Sequence, residues 1–149
     1  MPSPFQTRQI ARTTANYTTV KAISADTTLT DADSGKLIAV DNSAANVTIT
    51  LPTPVAGHTF TIILSKTAAA KNLLVNAASS ANYYKGGLLY LDSDDTDAQT
   101  YTSSPNGTSE YRVDMDDPAI GSNFTIVSDG TYWYWYGQVS DSGASPNWS

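Results

Sequence analysis

Residues 46–51 read NVTITL, placing Val47, Ile49 and Leu51 on one side of an extended chain and Thr48 and Thr50 on the other. Successive side chains of a strand point to opposite faces, whereas a helix needs its apolar residues three and four apart. Pro52 and Pro54 end the run, since neither has an amide hydrogen to give to a ladder. Residues 59–64 (TFTIIL) repeat the alternation, with Phe60, Ile62 and Leu64 inward. Two such runs, broken by prolines and Gly57, restrict the chain to sheets that bury one face. The six inward residues are expected to form the core, each contributing roughly 1.5–3 kcal/mol when buried.

The same reading predicts strands at residues 36–41, 73–75, 88–91, 111–115, 124–128 and 132–139, with a short one at 100–102. Asp33-Ser34-Gly35, Asn106-Gly107 and Ser128-Asp129-Gly130 carry turn chemistry, with a carboxylate, amide or hydroxyl for local bonds and a glycine for positive φ. Asp129-Gly130, between two alternating runs, predicts a hairpin. Residues 67–74, with three consecutive alanines, are the one candidate helix, too short to stand alone. The expectation is an all-β fold, an antiparallel β-sandwich or small β-barrel over residues 17–140 with a long acidic loop near 92–109. Residues 1–16 read as an extended N-terminal arm and residues 141–149 as a flexible C-terminal tail in which Trp148 can dock.

Length and charge narrow the function. A chain of 149 residues fits a single domain. It has no cysteine, so neither disulfides nor thiolate metal sites arise. No apolar run approaches the roughly 20 residues of a membrane span, and the first residues lack the hydrophobic stretch of a secretion signal. Net charge is −6, with seven Lys/Arg against four Asp in residues 1–85 and one Arg against ten Asp/Glu in residues 86–149. Such a body repels phosphate backbones, so neither nucleic acid nor membrane is an expected partner.

No residue pattern carries recognisable catalysis, and no cofactor is expected. His58 is the only histidine, and no Gly-x-Ser-x-Gly elbow accompanies it. Asp33-Ser34-Gly35-Lys36 lacks the first glycine and the helix of a phosphate loop. Asp92, Asp94, Asp95 and Asp97 form a weak calcium candidate. Hard cations prefer several oxygens, but residue six of that stretch is Asp97 where an EF-hand needs glycine. Asp114, Asp116 and Asp117 cluster without the rigid separation that a carboxylate pair needs for glycoside hydrolysis. The run Tyr132-Trp133-Tyr134-Trp135-Tyr136 puts three tyrosines on one face of a strand and two tryptophans on the other. Tyr132, Tyr134 and Tyr136 then form either an oligomer interface or a glycan platform, since tyrosine is apolar with a wet tip.

Residues 28–66, TLTDADSGKLIAVDNSAANVTITLPTPVAGHTFTIILSK, resemble a widespread phage virion module with the pattern LT..DSGK.I.VDN....VTITLP....G..FTI. Residues 123–137, NFTIVSDGTYWYWYG, are similar to its closing hairpin, VTLVSDGT.WYV.G. The pattern recurs in capsid decoration (cement) proteins, head fibers and tail-fiber domains, and the acidic stretch after residue 86 has no counterpart in it. The resemblance implies a β-tulip-like fold, Trp133 in the core, and a homotrimer on the outer surface of the virion that binds the major capsid protein and stabilises the capsid. On that reading Phe5, Arg8, Ile10 and Arg12 of the arm contact the capsid. The alternative is a receptor- or glycan-binding domain of a head or tail fiber.

Overall fold

Alternation fixes which side of each strand faces the core, and the structure places the strands on that pattern. The computed structural model describes residues 19–66, 71–92, 100–141 and 145–149. Within them the chain forms β1 (Val20–Ile23), β2 (Thr27–Thr28), β3 (Leu37–Val40), β4 (Val47–Thr50), β5 (Thr59–Leu64), β6 (Leu73–Asn76) and β7 (Tyr84–Gly86). It continues with β8 (Leu88–Asp92), β9 (Thr100–Ser103), β10 (Arg112–Met115), β11 (Asn123–Ser128), β12 (Trp133–Asp141) and β13 (Asn147–Trp148).

Two sheets hold these strands. The larger runs β1-β3-β5-β11-β12-β8-β9, with β7 also pairing β12, and the smaller runs β13-β10-β6-β4-β2. The fold is therefore an all-β, two-sheet sandwich, with pairing that is mixed where an antiparallel arrangement was expected. The first six strands alternate between the sheets, and β1 to β4 each lie parallel to the strand two places on. Val20 pairs with Leu37 and Leu37 with Thr61 in the large sheet, while Thr27 pairs with Ile49 and Ile49 with Val75 in the small one. The N-terminal half is thus a coil that passes back and forth between two parallel ladders. The reason lies in the connections: Ser24-Ala25-Asp26 and the Pro52–Pro54 stretch lack the tight-turn chemistry that folds a strand back on itself, so the chain crosses to the opposite sheet. Asp129-Gly130 has that chemistry, and β11 and β12 form the hairpin it predicts.

Side chains continue the lateral bonding past the strand ends. Asp26 Oδ1 accepts the amide hydrogen of Thr48 at 2.8 Å, and Asn46 Oδ1 accepts that of Asn72 at 3.0 Å. Each residue thereby caps the residue beside it in the next coil.

Register stacks apolar side chain on apolar side chain in the core, across parallel and antiparallel pairs alike. Ile38 lies beside Ile62 and Ile62 beside Phe124 in one sheet, while Ile49, Val75 and Val113 line up in the other. Val47, Ile49, Leu51, Phe60, Ile62, Leu64 and Trp133 are all buried in a single cluster between the sheets. Trp135 joins them, stacked on Phe124 at 5.2 Å and tilted against Tyr84 at 5.0 Å. The close packing has a backbone cause at Gly137 (φ 143°), where a Cβ would stand 2.4 Å from the Phe124 Cα.

Three expectations are corrected. The tail does not trail away: β13 pairs with β10, and the Trp148 indole donates to Ser103 Oγ at 2.9 Å while meeting Trp135 edge-on. Leu73 and Leu74 of the candidate helix lie in β6, because their backbones pair with β4 and β10; residues 67–70 lie outside the described residues. Strand β1 escaped prediction because Lys21 occupies an inward position and breaks the alternation, while β2 is short and polar.

Both tryptophans are buried without an acceptor for the indole N–H among the described residues. A lost bond costs about 1–3 kcal/mol. Burying roughly 150–250 Å² of aromatic surface at about 25 cal/mol per Å² contributes more than that. Accordingly Trp133→Ala and Trp135→Ala should each lower unfolding free energy by about 3–5 kcal/mol in urea titrations. A negligible change for both would refute this packing.

Candidate functional site

His58 is packed, not presented. It precedes β5, stacks on Trp133 with centroids 6.2 Å apart, and meets Phe60 edge-on at 6.0 Å. Nε2 faces an Asp31 carboxylate oxygen at 3.7 Å, and Nδ1 is buried with no hydrogen-bond partner among the described residues. Neither nitrogen therefore faces a hydroxyl nucleophile.

The acidic residues are dispersed or structurally engaged. Asp92 ends β8, while Asp94, Asp95 and Asp97 lie outside the described residues, as do Phe5, Arg8, Ile10 and Arg12. Asp114 accepts a hydrogen bond from Asn72 Nδ2 at 2.9 Å. Among the described residues no three His, Cys, Asp or Glu side chains converge as a metal site would require.

Asp33, at the corner between β2 and β3, is a heavily bonded charge. Its buried carboxylate accepts from Lys21 Nζ at 2.7 Å, Lys36 Nζ at 2.9 Å, and the Thr30 amide and hydroxyl at 3.0 and 3.1 Å. Burial pushes its pKa up, but the bonds from the two lysines and from Thr30 outweigh burial and hold it well below the usual carboxylate range. The residues that looked like half a phosphate loop thus lock a corner.

The outward face of the large sheet differs from these engaged groups. Across five strands Val20, Leu37, Thr61, Thr125 and Tyr136 stand side by side in register. The next row is Ala22, Ala39, Ile63, Asn123 and Gln138, and Leu89 on β8 extends it. From β1 to β12 no outward position in these described strands carries a charge. Charge stands at the rim instead: Lys85 and Asp129 at one end, and the Asp41–Lys66 pair (2.7 Å) at the other. Of the six large apolar or aromatic side chains exposed among the described residues, four lie on this face: Val20, Leu89, Tyr134 and Tyr136.

The three tyrosines do not act alike. Tyr132 precedes β12, stacks on Tyr83 at 6.3 Å, and carries the Lys85 ammonium 4.5 Å over its ring. Tyr134 donates its hydroxyl to Asp129 at 2.8 Å, which raises the phenol pKa. Tyr136 is the most open of the three, 56 % exposed. The tyrosines stand out in the sequence, whereas the row from Tyr136 through Thr125, Thr61 and Leu37 to Val20 emerges only from register. The available signal was the absence of Lys and Glu at the outward positions of each alternating strand.

No family model matches this chain, and neither does any curated protein or solved structure.

The Asp33 corner yields a pH prediction. A carboxyl whose folded pKa is depressed contributes stability above its unfolded pKa and loses it as pH falls toward the folded value. Thermal melting of the wild type should therefore fall progressively below about pH 4. Asp33→Asn should cost about 2 kcal/mol at pH 7 and show a shallower decline over the same acid window. Parallel melting curves for the two proteins would contradict the role given to this carboxylate.

Proposed function

We propose that this chain is a structural virion protein that decorates a phage capsid, binds the major capsid protein as a homotrimer and stabilises the shell. The observation that carries the reading is the broad, charge-free face of the large sheet, which offers area for association and no group for chemistry. Its support from sequence is the likeness of residues 28–66 and 123–137 to virion surface modules. Elsewhere in the molecule His58, Asp33 and Asp114 are each tied to neighbours that position the backbone or the core.

The mechanism on this reading is mechanical and not enzymatic. Each decorating unit bridges neighbouring capsomers, so opening the shell must also expose the area buried at every contact. Weak contacts repeated around a symmetry axis gain through effective concentration, because release of one leaves the others holding the molecule in place. The glycan alternative is less well served, since Tyr132 spends its ring on Tyr83 and Lys85 and Tyr134 ties its hydroxyl to Asp129.

The arm tests this reading. Phe5 and Ile10 supply apolar anchors, and Arg8 and Arg12 supply charges for acidic groups on the capsid. Deleting residues 1–16 removes none of the strands β1–β13, so the melting temperature should stay nearly unchanged. Binding to undecorated capsids should fall at least about tenfold, the equivalent of 1.4 kcal/mol. Wild-type binding should also weaken with added salt as the arginine contacts are screened. Equal decoration by the truncated and full chains would place the capsid contact elsewhere.

A further inference from the structure

We propose that the charge-free outer face of the large sheet, centred on Thr61, Thr125 and Tyr136, is where copies of this chain meet one another. The inference rests on the oligomeric reading above and extends the contact beyond the aromatic run, as far as Val20 on β1 and Leu89 on β8.

Three observations select a second copy as the occupant. The first is charge. Two molecules of net charge −6 repel wherever acidic surfaces approach, and a face without charge is where that repulsion is least. A partner of opposite charge would be recognised through carboxylates, which stand at the rim here and not at the centre. The second is the layout. Thr61, Thr125 and the exposed Tyr136 occupy the middle, exposed Val20 and Leu89 lie toward its flanks, and Lys85, Asp129, Asp41 and Lys66 form the border. That is the arrangement of an association surface, with a centre depleted of charge and a charged rim.

The third is area. Six strands about 4.8 Å apart and about five residues of 3.3 Å each span roughly 500 Å². Two copies face to face then bury about 1,000 Å², the lower bound for a specific pair. The face thus meets the area that one self-contact requires.

The test is the solution mass of the full chain by sedimentation, alongside single substitutions. Wild type should sediment at a multiple of the mass of one chain, three on the trimeric reading above. Thr61→Arg puts an unpaired cation at the centre and should raise the dissociation constant about a hundredfold, giving monomer. Thr50→Arg, on the outward side of the small sheet, should leave the mass unchanged. A monomeric wild type overturns the inference, and so does a Thr61→Arg protein that stays assembled.

Because the chain has no cysteine, Gln138→Cys gives a second readout that survives any folding defect of the arginine variant. Its thiol should react slowly with a maleimide when assembled and faster on dilution; a rate independent of concentration overturns the proposal. Capsid binding separates the two readings. A trimer that fails to bind capsids sinks the decoration role alone, whereas a monomer that binds them sinks the self-contact alone.

Discussion

Each coil of the N-terminal half can bury its apolar side chains only because the next coil lies one strand spacing away and takes up its backbone hydrogen bonds. A single pass through β1 and β2 offers six strand residues, far too few to enclose a core. Stacked in register, the passes align Ile38 with Ile62 and Ile49 with Val75, and the inward rows of the two ladders close on each other. The corners must then be held at one height. Asp26 and Asn46 do this by capping the adjacent coil, and Asp33 does it by drawing Lys21, Lys36 and Thr30 to one carboxylate. These bonds are local in effect, yet the register of every inward side chain follows from them.

The C-terminal half closes what the coils leave open. Strand β11 covers the free side of β5, β12 covers β11, and β10 with β13 covers β6. Aromatic bulk arrives with this closure: Phe124, Trp133, Trp135 and Trp148 lie on these added strands and pack against Phe60 and Tyr84. Gly137 permits the approach by leaving the space beside the Phe124 backbone empty. The two faces of β12 are therefore divided between uses, with indoles sealing the core and phenols facing out.

Period-two alternation made β4 and β5 legible in the sequence, along with the hairpin at Asp129-Gly130 and the burial of Val47, Ile49, Leu51, Phe60, Ile62 and Leu64. It could not show which strand lies beside which, because alternation reports a side and not a neighbour. The parallel coil went unread for that reason, and because its passes differ in length, from 17 residues between Val20 and Leu37 to 26 between Ile49 and Val75. Lys21 hid β1, since a charged residue at an inward position makes sense only once Asp33 is placed beside it. The outward face was legible in part. Its tyrosines stood out as aromatic, whereas Leu37, Thr61 and Thr125 were unremarkable until register put them in one row.

The seam between β5 and β11 has a consequence for how the chain reaches this state. Thr61 and Thr125 touch across it through their hydroxyls, 64 positions apart. Closing a flexible segment of that length costs about 4 kcal/mol of chain entropy before any contact repays it. Until the seam forms, the coils have an open side at β5, and the β11–β12 hairpin is a two-stranded ribbon that is marginal by itself. Assembly should therefore be slow, on the millisecond-to-second scale typical of non-local β topologies, and nearly all-or-none, with neither half persisting without the other. Such cooperativity limits the lifetime of species whose unpaired strand edges could join the wrong neighbour.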